Sequence, residues 1–209
     1  MTDAALPQSD PSVVPTIPAV PVTIGTHIIT QFKVKSLSLK ATVSMVNAAR
    51  DSGADYTVAI QRERFIRQIT PIDGTGAAVP FTLKDVLELP IYYAKLLRVA
   101  LTNQPDAPRG EVIKAGDGIS EPCVFKLGTP VGTSEGTITE LEFFAKTLGD
   151  IEAVYASDSG SEQALTLIET IATPLGSAPN LLRMPAWAID SITIEDGVGI
   201  MQDVLPRFL

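Results

Sequence analysis

The chain has 209 residues, 45% of them hydrophobic and 19% charged, and a formal net charge of −8. That length suits one domain or two of about 100 residues each, with enough apolar material for a packed core. The negative balance argues against sequence-independent nucleic-acid binding, which needs clustered Lys and Arg to displace counterions. The single cysteine, Cys123, excludes an internal disulfide. Neither a signal-peptide pattern nor an apolar run of membrane-spanning length is visible, so the expectation is a soluble, cytoplasmic protein without membrane contact.

Residues 1–25 carry Pro7, Pro11, Pro15, Pro18 and Pro21 among Ser, Thr, Val and Ala. Proline fixes φ and lacks the N–H of a ladder, so this segment is predicted to be an extended arm. It is either a leader without structure of its own or an arm laid across a neighbouring subunit through Val13, Val14, Ile17, Val20 and Val22. Residues 26–102 then read as a first module. His27 to Thr30 is short and β-branched, Phe32 to Lys35 alternates apolar with charged, and Leu37 and Leu39 resume the alternation. A helix is predicted from Thr42, with Val43, Val46 and Ala49 on one face. A second runs from Tyr56 to Ile69, ended by Pro71. Asp73-Gly74-Thr75-Gly76 is a loop, Thr82 to Asp85 starts a short helix, and Pro90 suits the opening of another over Ile91 to Leu101.

Residues 103–122, rich in Pro and Gly, read as a linker. Residues 123–209 form the second module. Cys123 to Leu127 and Thr137 to Phe144 read as strands, and Thr147 with Asp150 reads as a helix-opening capping box. Helices follow over Ser161 to Ala172 and from Thr193 to Leu205. The fold class is therefore α+β: two tandem modules, each a β-hairpin followed by about three helices, preceded by a Pro-rich arm.

The two modules read as copies of each other. Ile69-Thr70-Pro71-Ile72-Asp73-Gly74 resembles Ala172-Thr173-Pro174-Leu175-Gly176-Ser177. Asp85 to Leu101 lies at the same separation from Ala188 to Val204, and Thr42 to Ala48 matches Thr147 to Ala153. Three matches in one order favour internal duplication over helices that merely share a pattern. Charge has diverged: ten bases and six acids between Lys33 and Arg98, six bases and sixteen acids between Asp106 and Arg207. The halves, or neighbouring copies in a homo-oligomer, can attract each other, or both can be ordinary solvated surfaces.

The residue inventory points away from enzymatic chemistry. His27 is the only histidine, so neither a catalytic triad nor a zinc-type ligand set is expected. The Asp73-Gly74-Thr75-Gly76-Ala77 stretch lacks the Gly-Lys-Ser/Thr ending of a phosphate-binding loop. Glu140 and Glu142 alternate with Leu141 and Phe143, as on a solvated strand face. No cofactor or metal is expected, and the plausible task is binding protein. Trp187, beside Met184, is either an interface anchor or a core residue. Arg62, Arg64 and Arg67 either grip an anion, dock an acidic surface or face water.

Residues 123–209 also resemble the small tail assembly proteins of tailed bacteriophages, including the Mu-like and P2-like groups. The similarity rests on Thr129-Pro130-Val131, on Gly136 to Leu141, and on Thr147-Leu148-Gly149-Asp150. Met184-Pro185, Asp190 to Asp196 and Pro206-Arg207-Phe208 complete it. The resemblance implies a non-enzymatic tail assembly chaperone that coats the tape-measure protein and brings tail-tube subunits to it in the host cytoplasm. A structural protein retained in the tail or baseplate of the virion is the alternative expectation.

Overall fold

A computed structural model describes residues 16–104, 106–134, 136–177 and 181–208. In chain order the first half holds β1 (Thr16–Ile24), β2 (His27–Val34), α1 (Leu39–Asp51), α2 (Tyr56–Gln68), β3 (Ile69–Asp73), α3 (Leu83–Glu88) and α4 (Ile91–Thr102). The second holds β4 (Glu111–Ala115), β5 (Cys123–Thr133), β6 (Gly136–Phe143), α5 (Leu148–Tyr155), α6 (Gly160–Thr170), β7 (Ala172–Gly176), α7 (Ala186–Ile189) and α8 (Ile194–Gly199). A π-helical turn (Ile200–Val204) and a short 3-10 turn (Leu205–Arg207) prolong α8. The α+β class is as expected. The chain divides into two compact units: one holds residues up to Ser36 and from Ser52 to Pro105, the other Leu37–Asp51 and everything from Asp106.

Unit 1 is an antiparallel sheet in the order β1-β2-β3 with α2, α3 and α4. Ile29, Phe32 and Val34 of β2 are buried and form its core with Ile69, Val79, Phe81, Leu89, Tyr93, Leu97 and Leu101. Tyr93, Leu97 and Leu101 recur every four residues and so line one face of α4. Asp55 caps α2 by accepting from the Val58 N–H at 3.2 Å. Thr82 and Asp85 close a capping box at the start of α3.

Unit 2 is a four-stranded antiparallel sheet, β4-β5-β6-β7, covered by α5 to α8 and by α1. Phe125, Ile138, Leu141 and Phe143 from the sheet pack with Leu167, Ile168, Ile192, Ile200 and Val204. Leu39 and Val43 of α1 belong to this same core. The Leu39 N–H donates to the Ile192 carbonyl at 2.9 Å, Lys40 Nζ lies 3.0 Å from an Asp190 carboxylate oxygen, and Asn47 Nδ2 donates to Glu162 at 2.7 Å. The capping box of Thr147 and Asp150 forms as its spacing predicts.

Several expectations need correction. The extended arm over 1–25 fails for Thr16–Ile24, which is a strand paired with β2; residues 1–15 lie outside the described residues. Pro18 and Pro21 are tolerated because β1 is an edge strand whose register slips between Pro18 and Val22. The first hairpin is therefore β1–β2, not a pairing within residues 27–39, and Leu39 opens α1 three residues before Thr42. The expected linker 103–122 contains β4, which joins the second sheet. The plan of three helices after each hairpin omits β3 and β7. Most consequentially, α1 packs in unit 2 although residues 26–102 read as one module.

The two units share a strand register. β3 pairs with β2 through Ile29↔Asp73, Gln31↔Ile72, Phe32↔Pro71, Lys33↔Thr70 and Val34↔Ile69. β7 pairs with β6 through Ile138↔Gly176, Glu140↔Leu175, Leu141↔Pro174, Glu142↔Thr173 and Phe143↔Ala172. Both ladders slip at the same place, after Ile29 and after Ile138. Buried residues downstream also correspond at one constant separation in sequence: Phe81 with Met184, Leu89 with Ile192, Tyr93 with Asp196, Leu97 with Ile200 and Leu101 with Val204.

Candidate protein-binding surfaces

The helices of unit 1 bury one face and leave large apolar side chains on another. On α4 the buried stripe is Tyr93, Leu97 and Leu101, while Ile91, Tyr92 and Val99 are exposed, Ile91 to 75%. Leu83 and Leu87 of α3 and Tyr56 and Val58 of α2 are exposed as well. A helix apolar on both faces is expected to be covered on both. The only charges on α4 are Lys95 and Arg98, exposed and without a side-chain partner among the described residues. Sequence reading missed these positions. The signal was present in Ile91, Tyr92 and Val99, which fall outside the four-residue stripe.

The arginines on α2 behave differently from one another. Arg64 donates to Gln68 at 3.0 Å and to the Leu101 carbonyl at 3.3 Å, so it ties α2 to the end of α4. Arg67 pairs with Glu63 at 2.9 Å, one helical turn away. Arg62 has no side-chain partner among the described residues. An anion grip by all three is therefore poorly supported, because two are engaged within the unit.

In unit 2 the expected pair separates. Met184 is 5% exposed and belongs to the core, whereas Trp187 on α7 is 51% exposed, with Leu182 also exposed nearby in sequence. The proline-capped start of α7, at Pro185, turns Ala188 and Ile189 inward and leaves Trp187 outward.

Asp196, the one fully buried carboxylate among the described residues, has a structural environment. One of its oxygens accepts from the Gly110 N–H at 2.9 Å and the Gly128 N–H at 2.8 Å; the other accepts from the Thr193 hydroxyl at 3.0 Å. It thereby joins the approach to β4 and the middle of β5 to the start of α8. Asp73 plays a comparable part at the surface. It accepts from the Thr75 hydroxyl at 2.6 Å and from the Thr75 and Ala77 N–H groups, which lower its pKa. The Asp73-Gly74-Thr75-Gly76 stretch is thus an aspartate-organised turn. His27 is exposed and lies 3.6 Å from Asp73. Glu140 and Glu142 are half-buried on β6. Among the described residues no cluster of three or more His, Cys, Asp or Glu could hold a metal ion, and no helix is long and apolar enough to cross a membrane.

Compared with protein-family models, with curated proteins and with solved structures, the chain matches none. Its function therefore has to be argued from its own surfaces.

Proposed function

We propose that this chain is a non-enzymatic phage tail assembly protein, a chaperone or adaptor that binds tape-measure and tail-tube proteins in the host cytoplasm. The observation that carries the protein-binding part is the exposed apolar surface of α3 and α4 in unit 1: Leu83, Leu87, Ile91, Tyr92 and Val99. Ile91, Tyr92 and Val99 fall on one side of α4 at helical spacing, and an exposed apolar helix face of this kind marks a protein-interaction surface. The phage assignment draws its support from the residue pattern of the C-terminal half. Co-expression with the tape-measure protein of a tailed phage tests it. The expected result is a co-purifying complex and a larger soluble fraction of tape-measure protein. Neither complex nor solubility change would reject the proposal.

The charge contrast between the basic stretch Lys33–Arg98 and the acidic stretch Asp106–Arg207 favours a second reading, a subunit packed in the tail or baseplate of the virion. Stoichiometric peptides in the mass spectrum of purified particles would support that reading, and their absence would support the chaperone.

A further inference from the structure

We propose that α4 of one copy of the chain docks on α5 of a second copy, so that copies associate head to tail while no partner covers α4. The inference rests on the protein-binding reading of unit 1 and names what holds that face before a partner does.

The two units differ in charge in the sense that such docking needs. Unit 1 holds eight bases and seven acids, unit 2 eight bases and seventeen acids. On α4 the exposed Ile91, Lys95, Arg98 and Val99 recur at three- and four-residue spacing and share one side, with Tyr92 beside them. α4 carries no acid. Six large apolar side chains of unit 2 are exposed among the described residues: Ile113, Ile119, Leu148, Tyr155, Leu182 and Trp187. Only Leu148 and Tyr155 share a helix face with an acid, Glu152, that has no side-chain partner among the described residues. By contrast Asp190, the acid nearest Trp187 in sequence, is already paired with Lys40. α5 carries no base. Tyr155 is half-exposed, and its hydroxyl donates to the Phe208 carbonyl at 2.6 Å, which holds the ring in place.

One register fits the two faces. With the helices parallel and Ile91 on Leu148, Lys95 meets Glu152 and Arg98 meets the Tyr155 ring, because the three positions have the same spacing in both helices. Glu88 then comes to the end of α5 where the exposed Lys146 lies; its own pair with Lys84 is long, at 3.9 Å. Arg183, whose charge reaches Asp150, stands at that same end. The opposite direction would bring Arg98 toward Lys146 and Arg183, so like charges select the parallel one. The contact is small, since α5 has 8 residues and is about 12 Å long. The association is therefore weak and reversible, and a partner that covers α3 and α4 together displaces it. Each copy carries both faces, so copies add in series.

The test is analytical ultracentrifugation of the full chain over a concentration series. The mass should rise above that of one copy with concentration and fall back as salt screens the charges. Lys95→Glu/Arg98→Glu and Glu152→Lys should each weaken association at least tenfold. An equimolar mixture of the two variants should restore it, because an acidic α4 then meets a basic α5. These side chains are exposed, and circular dichroism would verify that the variants fold. A monomer at every concentration, association unaltered in both variants, or a mixture that stays monomeric would overturn the proposal. So would association lost in Trp187→Ser but kept in Glu152→Lys, which would assign the contact to α7. Added tape-measure protein should dissociate the wild-type assemblies, and a complex that retains self-association would refute the shared use of α4. Self-association without a tape-measure complex would reject the assembly role and keep this contact; a tape-measure complex formed by a chain that is always monomeric would do the reverse.

Discussion

Removal of the Asp196 carboxylate should unfold unit 2 far more readily, and the geometry sets the size of the effect. In Asp196→Ala the Gly110 and Gly128 N–H groups, now at 2.9 and 2.8 Å from one carboxylate oxygen, lose their acceptor, and the Thr193 hydroxyl loses its own. A buried donor stranded in this way costs about 1–3 kcal/mol. Two such donors, with some relief by water at the half-buried Gly128, amount to about 3–5 kcal/mol. Asp196→Asn keeps a neutral oxygen where both N–H groups point and puts an NH2 donor where the second oxygen accepted from the Thr193 hydroxyl, which can accept in turn, at a cost of about 1–2 kcal/mol. Trp187 is the only tryptophan and lies in unit 2, so its fluorescence in urea reports this unit. With a urea slope of about 2 kcal/mol/M, Ala should lower the midpoint by about 1.5–2.5 M and Asn by less than about 1 M. The reasoning fails if Asp196→Ala stays within about 1 kcal/mol of the wild type, or if Asn is as damaging as Ala.

Leu39→Ala should destabilise the Trp187-reported transition by about 2–5 kcal/mol, because Leu39 is buried in the core of unit 2. An unmoved transition would mean that α1 packs elsewhere. Met184→Ala should lower stability by about 2–5 kcal/mol, whereas Trp187→Ala, half-exposed, should cost under about 1 kcal/mol, both read by circular dichroism. Equal losses would undo the separation of core from surface at this site. Asp117 accepts N–H bonds from Glu121, Ile119 and Ser120, which hold its pKa at about 2 against an ordinary 3.8. Its folded-state pKa is depressed, so its stabilisation is complete above 3.8 and is lost as pH falls through about 2. The melting temperature of Asp117→Asn should thus lie below wild type at pH 5 and converge with it near pH 2. A gap that persists in acid would contradict this cause.

The pattern-bearing elements were legible in the sequence. Thr82, Thr147 and Thr193 accept the backbone N–H bonds that start their helices. Their short-range chemistry needs no tertiary partner to be recognised. Phe32 and Val34, and likewise Leu141 and Phe143, alternate inward as a half-buried strand requires. Besides β4, which lies in a stretch rich in Pro and Gly, the strands that escaped contain prolines: Pro18 and Pro21 in β1, Pro71 in β3 and Pro174 in β7. All three lie at sheet edges, where a missing N–H costs no ladder bond, and edge position is a property of the assembled sheet. Similarly, nothing local in Leu39–Asp51 tells whether its apolar face meets unit 1 or unit 2. That choice rests on Gly197, which leaves room for Leu39, and on Asp190 and Glu162, all more than a hundred residues downstream. The unequal fates of Met184 and Trp187 depend on which way α7 faces, again a tertiary outcome.

The central claim is that this chain works by binding a partner through the exposed helical face of unit 1. Hydrogen exchange tests it most directly, measured on the chain alone and in complex with a tape-measure protein. The account predicts slowed exchange in α3 and along α4, from Leu83 to Val99, with the β4–β7 sheet unchanged. Absence of a complex, or slowing confined to unit 2, would contradict it.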